Sequence, residues 1–191
     1  ALILAGVGVA VAAAGSLARL SWLAGVGTVV ILAGWVWLYQ GFVANALTVF
    51  RDPRGRVTYP GLSALFAVGW LIGGLAWFAV LLFGGTGDTP VLPLLLGFAA
   101  QLLIGTMSYL MPTTMGGGPA AVKAGLAELD RGAYLRVGLF NAALLAWLIV
   151  GNSYARIVLS FLAFGVLVAF IPLLTRAVKA QVAVIKASRR P

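Results

Sequence analysis

The chain has 191 residues, of which 62% are hydrophobic and 9% charged. Soluble domains are about half apolar and about a quarter charged. This composition therefore excludes an ordinary water-soluble globule, a disordered tail and a nucleic-acid-binding domain, and leaves an all-α integral membrane protein, a single transmembrane helical domain over residues 1–191.

Histidine and cysteine are both absent. This polypeptide alone cannot build a disulfide framework, a zinc site, a histidine-ligated haem, a Cys/His catalytic pair or a type 1 copper site. No catalytic residue is assigned, and any redox metal chemistry is expected on another segment or another chain.

Charges divide the sequence into uncharged runs. Eighteen residues precede Arg19; 31 separate Arg19 from Arg51, 31 separate Arg56 from Asp88, and 34 separate Asp88 from Lys123. Arg136 to Arg156 and Arg156 to Arg176 each enclose 19. A helix crosses the hydrocarbon core with about 20 residues, so each run holds one crossing. Six spans are expected, at 1–18, 21–43, 60–84, 90–112, 134–151 and 154–177.

The breaks carry turn chemistry. Arg51-Asp52-Pro53-Arg54-Gly55-Arg56 reads as a polar turn, as does Gly84-Gly85-Thr86-Gly87-Asp88-Thr89-Pro90, and Gly151-Asn152-Ser153 reads as a tight hairpin. Gly69-x3-Gly73 with Gly74, Gly97 with Gly105, and Gly25, Gly27 and Gly34 give the spans small-residue faces suited to close helix packing.

The net charge of +9 is unevenly placed. With six spans and both termini inside, eleven basic residues lie on the cytoplasmic side and two, Arg19 and Arg156, outside. The positive-inside rule thus predicts an N-in/C-in, multi-pass membrane protein. Trp22, Trp147 and Tyr154 near the outside and Tyr39, Tyr59, Tyr109 and Tyr134 near the inside fit as interface anchors. The chain starts at Ala1 with no basic region before its first apolar run, and it ends on a basic flank at Pro191, so a fragment of a longer polypeptide is expected.

The segment after the fourth span is unusual. Pro112 is expected to end or kink that helix, and Gly116-Gly117-Gly118 then form a hinge leading to Pro119 as the first residue of a short amphipathic helix, 119–131. Ala120, Val122, Leu126 and Leu129 supply its apolar side and Lys123, Glu128, Asp130 and Arg131 its polar side, which suits a helix lying on the inner membrane surface. The glycines resemble an anion cradle only weakly, because no Gly-Lys-Ser/Thr follows them.

Within the spans no acidic or basic residue falls near mid-depth, which counts against a pump, channel or small transporter. The polar residues there are Gln101, Thr106, Ser108 and Asn141, and Gln101 and Asn141 suit hydrogen bonds between helices. Met107, Met111 and Met115 recur at i, i+4 and i+8. On an unbroken helix they form a thioether stripe of the kind that ligates Cu(I), similar to the methionine spacing of high-affinity copper transporters; as ordinary apolar filler they need no metal.

The run Gly97-Phe98-Ala99-Ala100-Gln101-Leu102-Leu103-Ile104-Gly105-Thr106-Met107-Ser108-Tyr109-Leu110-Met111-Pro112, followed by Gly116-Gly117-Gly118-Pro119 and Glu128-Leu129-Asp130-Arg131, resembles the multispan membrane region ahead of the cupredoxin domains in some high-GC Gram-positive multicopper oxidases and copper nitrite reductase-like proteins. The resemblance covers about the second half of the chain, to Arg176. It implies a membrane anchor of a cell-surface copper oxidoreductase, with copper, and haem where an electron donor carries it, in the rest of the polypeptide or in partners. It also implies a homotrimer. That family tends to carry aliphatic residues where this chain has its three methionines, and none of its catalytic residues maps here. The alternative from a different class is an accessory structural subunit of a respiratory or other membrane complex, with the bilayer and neighbouring subunits as partners.

Overall fold

A computed structural model describes residues 1–52 and 58–188. Most of the polar turn expected at 51–56, and residues 189–191 of the basic C-terminal flank, lie outside the described residues. Every regular element among the described residues is helical. Five stretches are long and apolar enough to cross a membrane: Ser21–Arg51, Tyr59–Leu82, Pro93–Met115, Pro119–Ile149 and Ser153–Ser188. The first helix, Leu2–Leu17, is shorter than these.

The described residues fall into two compact units, one within Ala1–Arg56 and Ala67–Ala99, the other within Val57–Phe66 and Ala100–Pro191. In the first unit α1 (Leu2–Leu17) packs along α2 (Ser21–Arg51). The contact is backbone against backbone. A Cβ on Gly27 would stand 2.2 Å from the Ala12 nitrogen, one on Gly15 2.3 Å from the Ala24 nitrogen, and one on Gly8 2.7 Å from the Ile31 nitrogen. Only glycine permits this approach, and in lipid such contact replaces the hydrophobic effect as the source of helix association. The reversal between the two helices places Arg19 at φ 55, and the Leu20 N–H returns to the Gly15 carbonyl at 2.8 Å, closing the end of α1.

The helix α2 runs to Arg51, past the expected end at residue 43, because the first residue able to break it is Pro53. α3 (Tyr59–Leu82) follows, and a π-helical stretch, Pro93–Ala100, leads into α4 (Gln101–Met115). Glycines again set the spacing in this unit: a Cβ on Gly97 would meet the Trp70 ring at 2.4 Å, and one on Gly74 the Leu94 side chain at 2.5 Å.

The second unit holds the start of α3 with α4, α5 (Pro119–Leu129), α6 (Ala133–Ile149), α7 (Ser153–Val168) and α8 (Phe170–Ser188). α6 and α7 form a hairpin whose turn, Val150–Asn152, is closed by Asn152: its side-chain oxygen accepts from the Tyr154 and Ala155 N–H groups at 2.9 and 3.2 Å. The expected span 154–177 is instead two helices meeting at Ala169, the second continuing to Ser188.

Pro112 does not end α4, which continues to Met115. The proline ring removes one N–H, so the Ser108 carbonyl four residues back loses its ladder donor. The Thr113 hydroxyl bonds the Tyr109 carbonyl and the Thr114 hydroxyl the Leu110 carbonyl, each at 2.9 Å. The chain then turns through Gly116, Gly117 and Gly118, all at positive φ (66, 88 and 90°), and Pro119 opens α5.

The close approach of α1 and α2 makes a stability prediction. Gly27→Leu places a branched side chain against the Ala12 backbone and is expected to cost about 1–3 kcal/mol or more in detergent unfolding. Gly41→Leu, where nothing lies within 4 Å of a Cβ, is expected to leave stability unchanged or slightly raised.

Candidate functional site

Polar groups concentrate at one end of the second unit. A small apolar cluster of Tyr59, Leu62, Ala133 and Val137, with Ile104 packed against it, brings together the start of α3, the start of α6 and the first turn of α4. Gly105 lies against Ser63 and 3.7 Å from the Pro60 carbonyl, counted from an ideal Cβ. In this antiparallel register Tyr59, at the start of α3, falls level with about Tyr109, so α4 runs on past it to Met115 for about 9 Å at 1.5 Å per residue. α5 and α8 pack around this overhang.

Their pairing is antiparallel: Gly117 meets Ile185, whereas Gly125 meets Gln181 and Pro112. The inner face of α5 is Ala121, Gly125 and Leu129, a spacing of four that puts small residues against α8. The apolar side expected from the sequence was different: Ala120 is exposed, and Val122 and Leu126 are only partly buried. Leu129, also on the expected apolar side, is buried, and α5 packs on α8 through this face.

Gln181 of α8 holds this layer together. It is fully buried, and its Nε2 donates to the Pro112 carbonyl at 2.8 Å and the Gly116 carbonyl at 2.7 Å. Those carbonyls belong to the last turn of α4 and its cap, which a helix cannot satisfy itself. One side chain, 65 or more residues away in sequence, thereby caps α4 and fixes α8 to it.

The turn between α5 and α6 does the same for two further helix ends. Asp130 Oδ1 accepts the Tyr59 N–H at 2.7 Å, so it caps the start of α3 and places a carboxylate at the positive end of that helix. Arg136, in the first turn of α6 and 9% exposed, donates from Nη2 to the Leu129 carbonyl, the last of α5. Its guanidinium lies over the Tyr59 ring, 3.9 Å from the centroid. Arg131 pairs with Glu128 at 2.9 Å on the surface. At the opposite end, the Arg156 Nε donates to the Val150 carbonyl at 2.7 Å and its guanidinium lies 4.8 Å from the Trp147 centroid, so this charge closes the α6–α7 turn.

The residues singled out by sequence fall in different places. Met107, Met111 and Met115 share one helix face now that α4 is unbroken; Met107 and Met115 are exposed, 37% and 40%. Gln101 is buried at the junction of the π-helical stretch and α4, and neither amide atom finds a hydrogen-bond partner among the described residues. Asn141 donates to the Val137 carbonyl of its own helix at 2.7 Å. Among the described residues no three His, Cys, Asp or Glu side chains come together as a metal site. Gln181, Asp130 and Arg136 were not singled out as site residues from sequence. Asp130 and Arg136 signal themselves only as charges flanking an αL glycine, Gly132 at φ 64.

Chemically this arrangement joins helix ends. It holds no paired nucleophile and base. Asp130→Ala is expected to cost about 1 kcal/mol and to speed amide exchange in the first turn of α3, with Asp130→Asn retaining most of the cap. Gln181→Leu leaves two buried carbonyls unbonded and is expected to cost about 1–3 kcal/mol, with faster exchange through α5 and the end of α4. Exchange rates and unfolding midpoints in detergent check both.

No protein-family model matches the chain, and no curated protein or solved structure matches it.

Proposed function

We propose that this chain is a multi-pass scaffold of a bacterial plasma membrane, with six crossings, both termini inside and the α4–α5–α8 layer on the cytoplasmic side. The observation that carries this reading is the division of surface chemistry in the second unit. Large apolar side chains stand exposed along α6 and α7, among them Leu135 (72%), Ile149 (74%), Phe161 (73%) and Phe164 (65%). Water does not tolerate such a continuous belt, whereas lipid does. The cations and buried polar caps gather beyond one edge of it, as the positive-inside rule requires for a cytoplasmic face. α1, about 24 Å long, is the sixth and shortest crossing, held by its backbone contact with α2.

In its specific form, the scaffold anchors the extracytoplasmic copper domains of a multicopper oxidase or copper nitrite reductase-like protein and sets them near a membrane electron donor. The resemblance of residues 97–131 supports this form. The role of the chain is positioning: Gln181, Asp130 and Arg136 fix helix ends rather than transform a substrate. The second reading, an accessory subunit of a membrane complex, draws support from the exposed Met107, Leu110 and Met115 on α4. Flexible thioether surfaces suit adaptable protein contacts.

The native polypeptide distinguishes these readings. A chain several times heavier than 19.8 kDa that carries copper supports the copper-domain anchor. A 19.8 kDa polypeptide co-purifying with haem proteins supports the accessory subunit and removes the anchor. Topology has its own test, helped by the absence of cysteine. Lys186→Cys is expected to react with an impermeant thiol reagent only from the cytoplasmic side, and Asn152→Cys only from outside. The reverse pattern overturns the orientation.

A further inference from the structure

The exposed face of the α7–α8 arm changes chemistry abruptly. Along α7 it is apolar: Ile157, Val158, Phe161, Phe164 and Val168 are all at least 40% exposed, and Ile171 in the first turn of α8 is 62% exposed. Beyond Ile171, α8 exposes no large apolar side chain. Its outward residues become Thr175, Arg176, Lys179, Ala183 and Lys186, while Ala177 and Gln181 face inward. This spacing of three and four puts the cations on one stripe.

Nothing in α8 balances them, because the helix contains no Asp or Glu. Arg176, Lys179 and Lys186 make no ion pair among the described residues. The neighbouring carboxylates are engaged elsewhere: Glu128 with Arg131, and Asp130 with the Tyr59 N–H. The antiparallel register of α5 on α8 carries Leu129 to the level of Ala177, so Arg131 and Arg136 stand near the same level as Arg176 and Lys179. That level holds four cations against two carboxylates.

Arg176 is five residues beyond Ile171, about 7–8 Å along the helix, which is the depth of lipid phosphates when Ile171 marks the edge of the hydrocarbon. We infer that Arg176 and Lys179 form a headgroup site that holds an acidic phospholipid, with Arg131 and Arg136 adding to the local positive potential. The apolar belt above supplies the surface for its acyl chains. Charge complementarity selects the ligand: a zwitterionic headgroup offers no net charge to an unbalanced cation pair, whereas an anionic headgroup offers one. This inference rests on the membrane reading above.

The test uses the full chain in nanodiscs of phosphatidylcholine doped with phosphatidylglycerol, with lipids retained after detergent extraction counted by native mass spectrometry. The wild type is expected to retain phosphatidylglycerol over phosphatidylcholine, and R176Q/K179Q to lose that preference about fivefold or more. K123Q, on the face of α5 turned away from α8, is expected to retain it. Circular dichroism and the unfolding midpoint confirm that the double variant is folded. An equal preference in R176Q/K179Q and wild type, or no preference in the wild type, overturns the site. Failure of the orientation appears separately, as inverted labelling of Lys186→Cys with lipid selectivity in nanodiscs unchanged.

Discussion

Apolar helices gain nothing from hiding apolar surface when the solvent is itself hydrocarbon, so helices apolar enough to cross a membrane need other means of association. What remains to hold helices together is close contact and the satisfaction of polar groups. α1 and α2 use the first: Gly8, Gly15 and Gly27 let one backbone touch the other, with no side chain between. The pairs Gly97 with Trp70 and Gly105 with Ser63 bring α3 close to the residues that enter α4 and to α4 itself, within their respective units.

The second means governs the end of the α3–α8 unit. Helix ends carry backbone groups with no intrahelical partner, and burying them in a bundle requires side chains to reach them. Gln181 serves α4, Asp130 serves α3 and Arg136 serves α5. Each bond joins two elements, so capping and assembly become the same interaction. Arg136 adds a cation–π contact with Tyr59, the residue whose N–H Asp130 accepts, so both charges meet the same helix start. A buried guanidinium is costly unless so accommodated, and the geometry shows why an arginine serves there and a lysine would not: planarity allows stacking and hydrogen bonding together.

The helical class was legible because charge-free runs of near-bilayer length admit few alternatives, and the loops at 84–90 and 151–153 were legible from glycine, proline and asparagine. Helix ends were less so. The extension of α2 to Arg51 follows from the absence of a breaker, which hydropathy does not register. The passage of α4 through Pro112 carries no signal in hydropathy, and the Gln181 side chain that caps the end of α4 is remote in sequence. The inner face of α5 was misread for a related reason: hydrophobicity pointed to Val122 and Leu126, whereas close packing against α8 selected Ala121 and Gly125. Size outweighs hydrophobicity where backbones touch. The residues at the helix-end junction were invisible as a group because they come from separate parts of the chain, and a lone Asp, Arg or Gln in a polar loop or amphipathic helix carries no such signal.

The overhang of α4 also changes what the methionines mean. With Gly105 against Ser63, Met107 lies alongside the first turn of α3, whereas Met111 and Met115 lie beyond its start. Along a single helix they rise in steps of about 6 Å, so one helix face offers a ladder of thioethers and not three ligands converging on one ion. Met111 is only partly exposed, whereas Met107 and Met115 are open. A soft metal would need a donor from a second element to complete its coordination, and a protein partner needs only the exposed strip as it stands. What α4 presents on this face is an exposed thioether strip on a single helix.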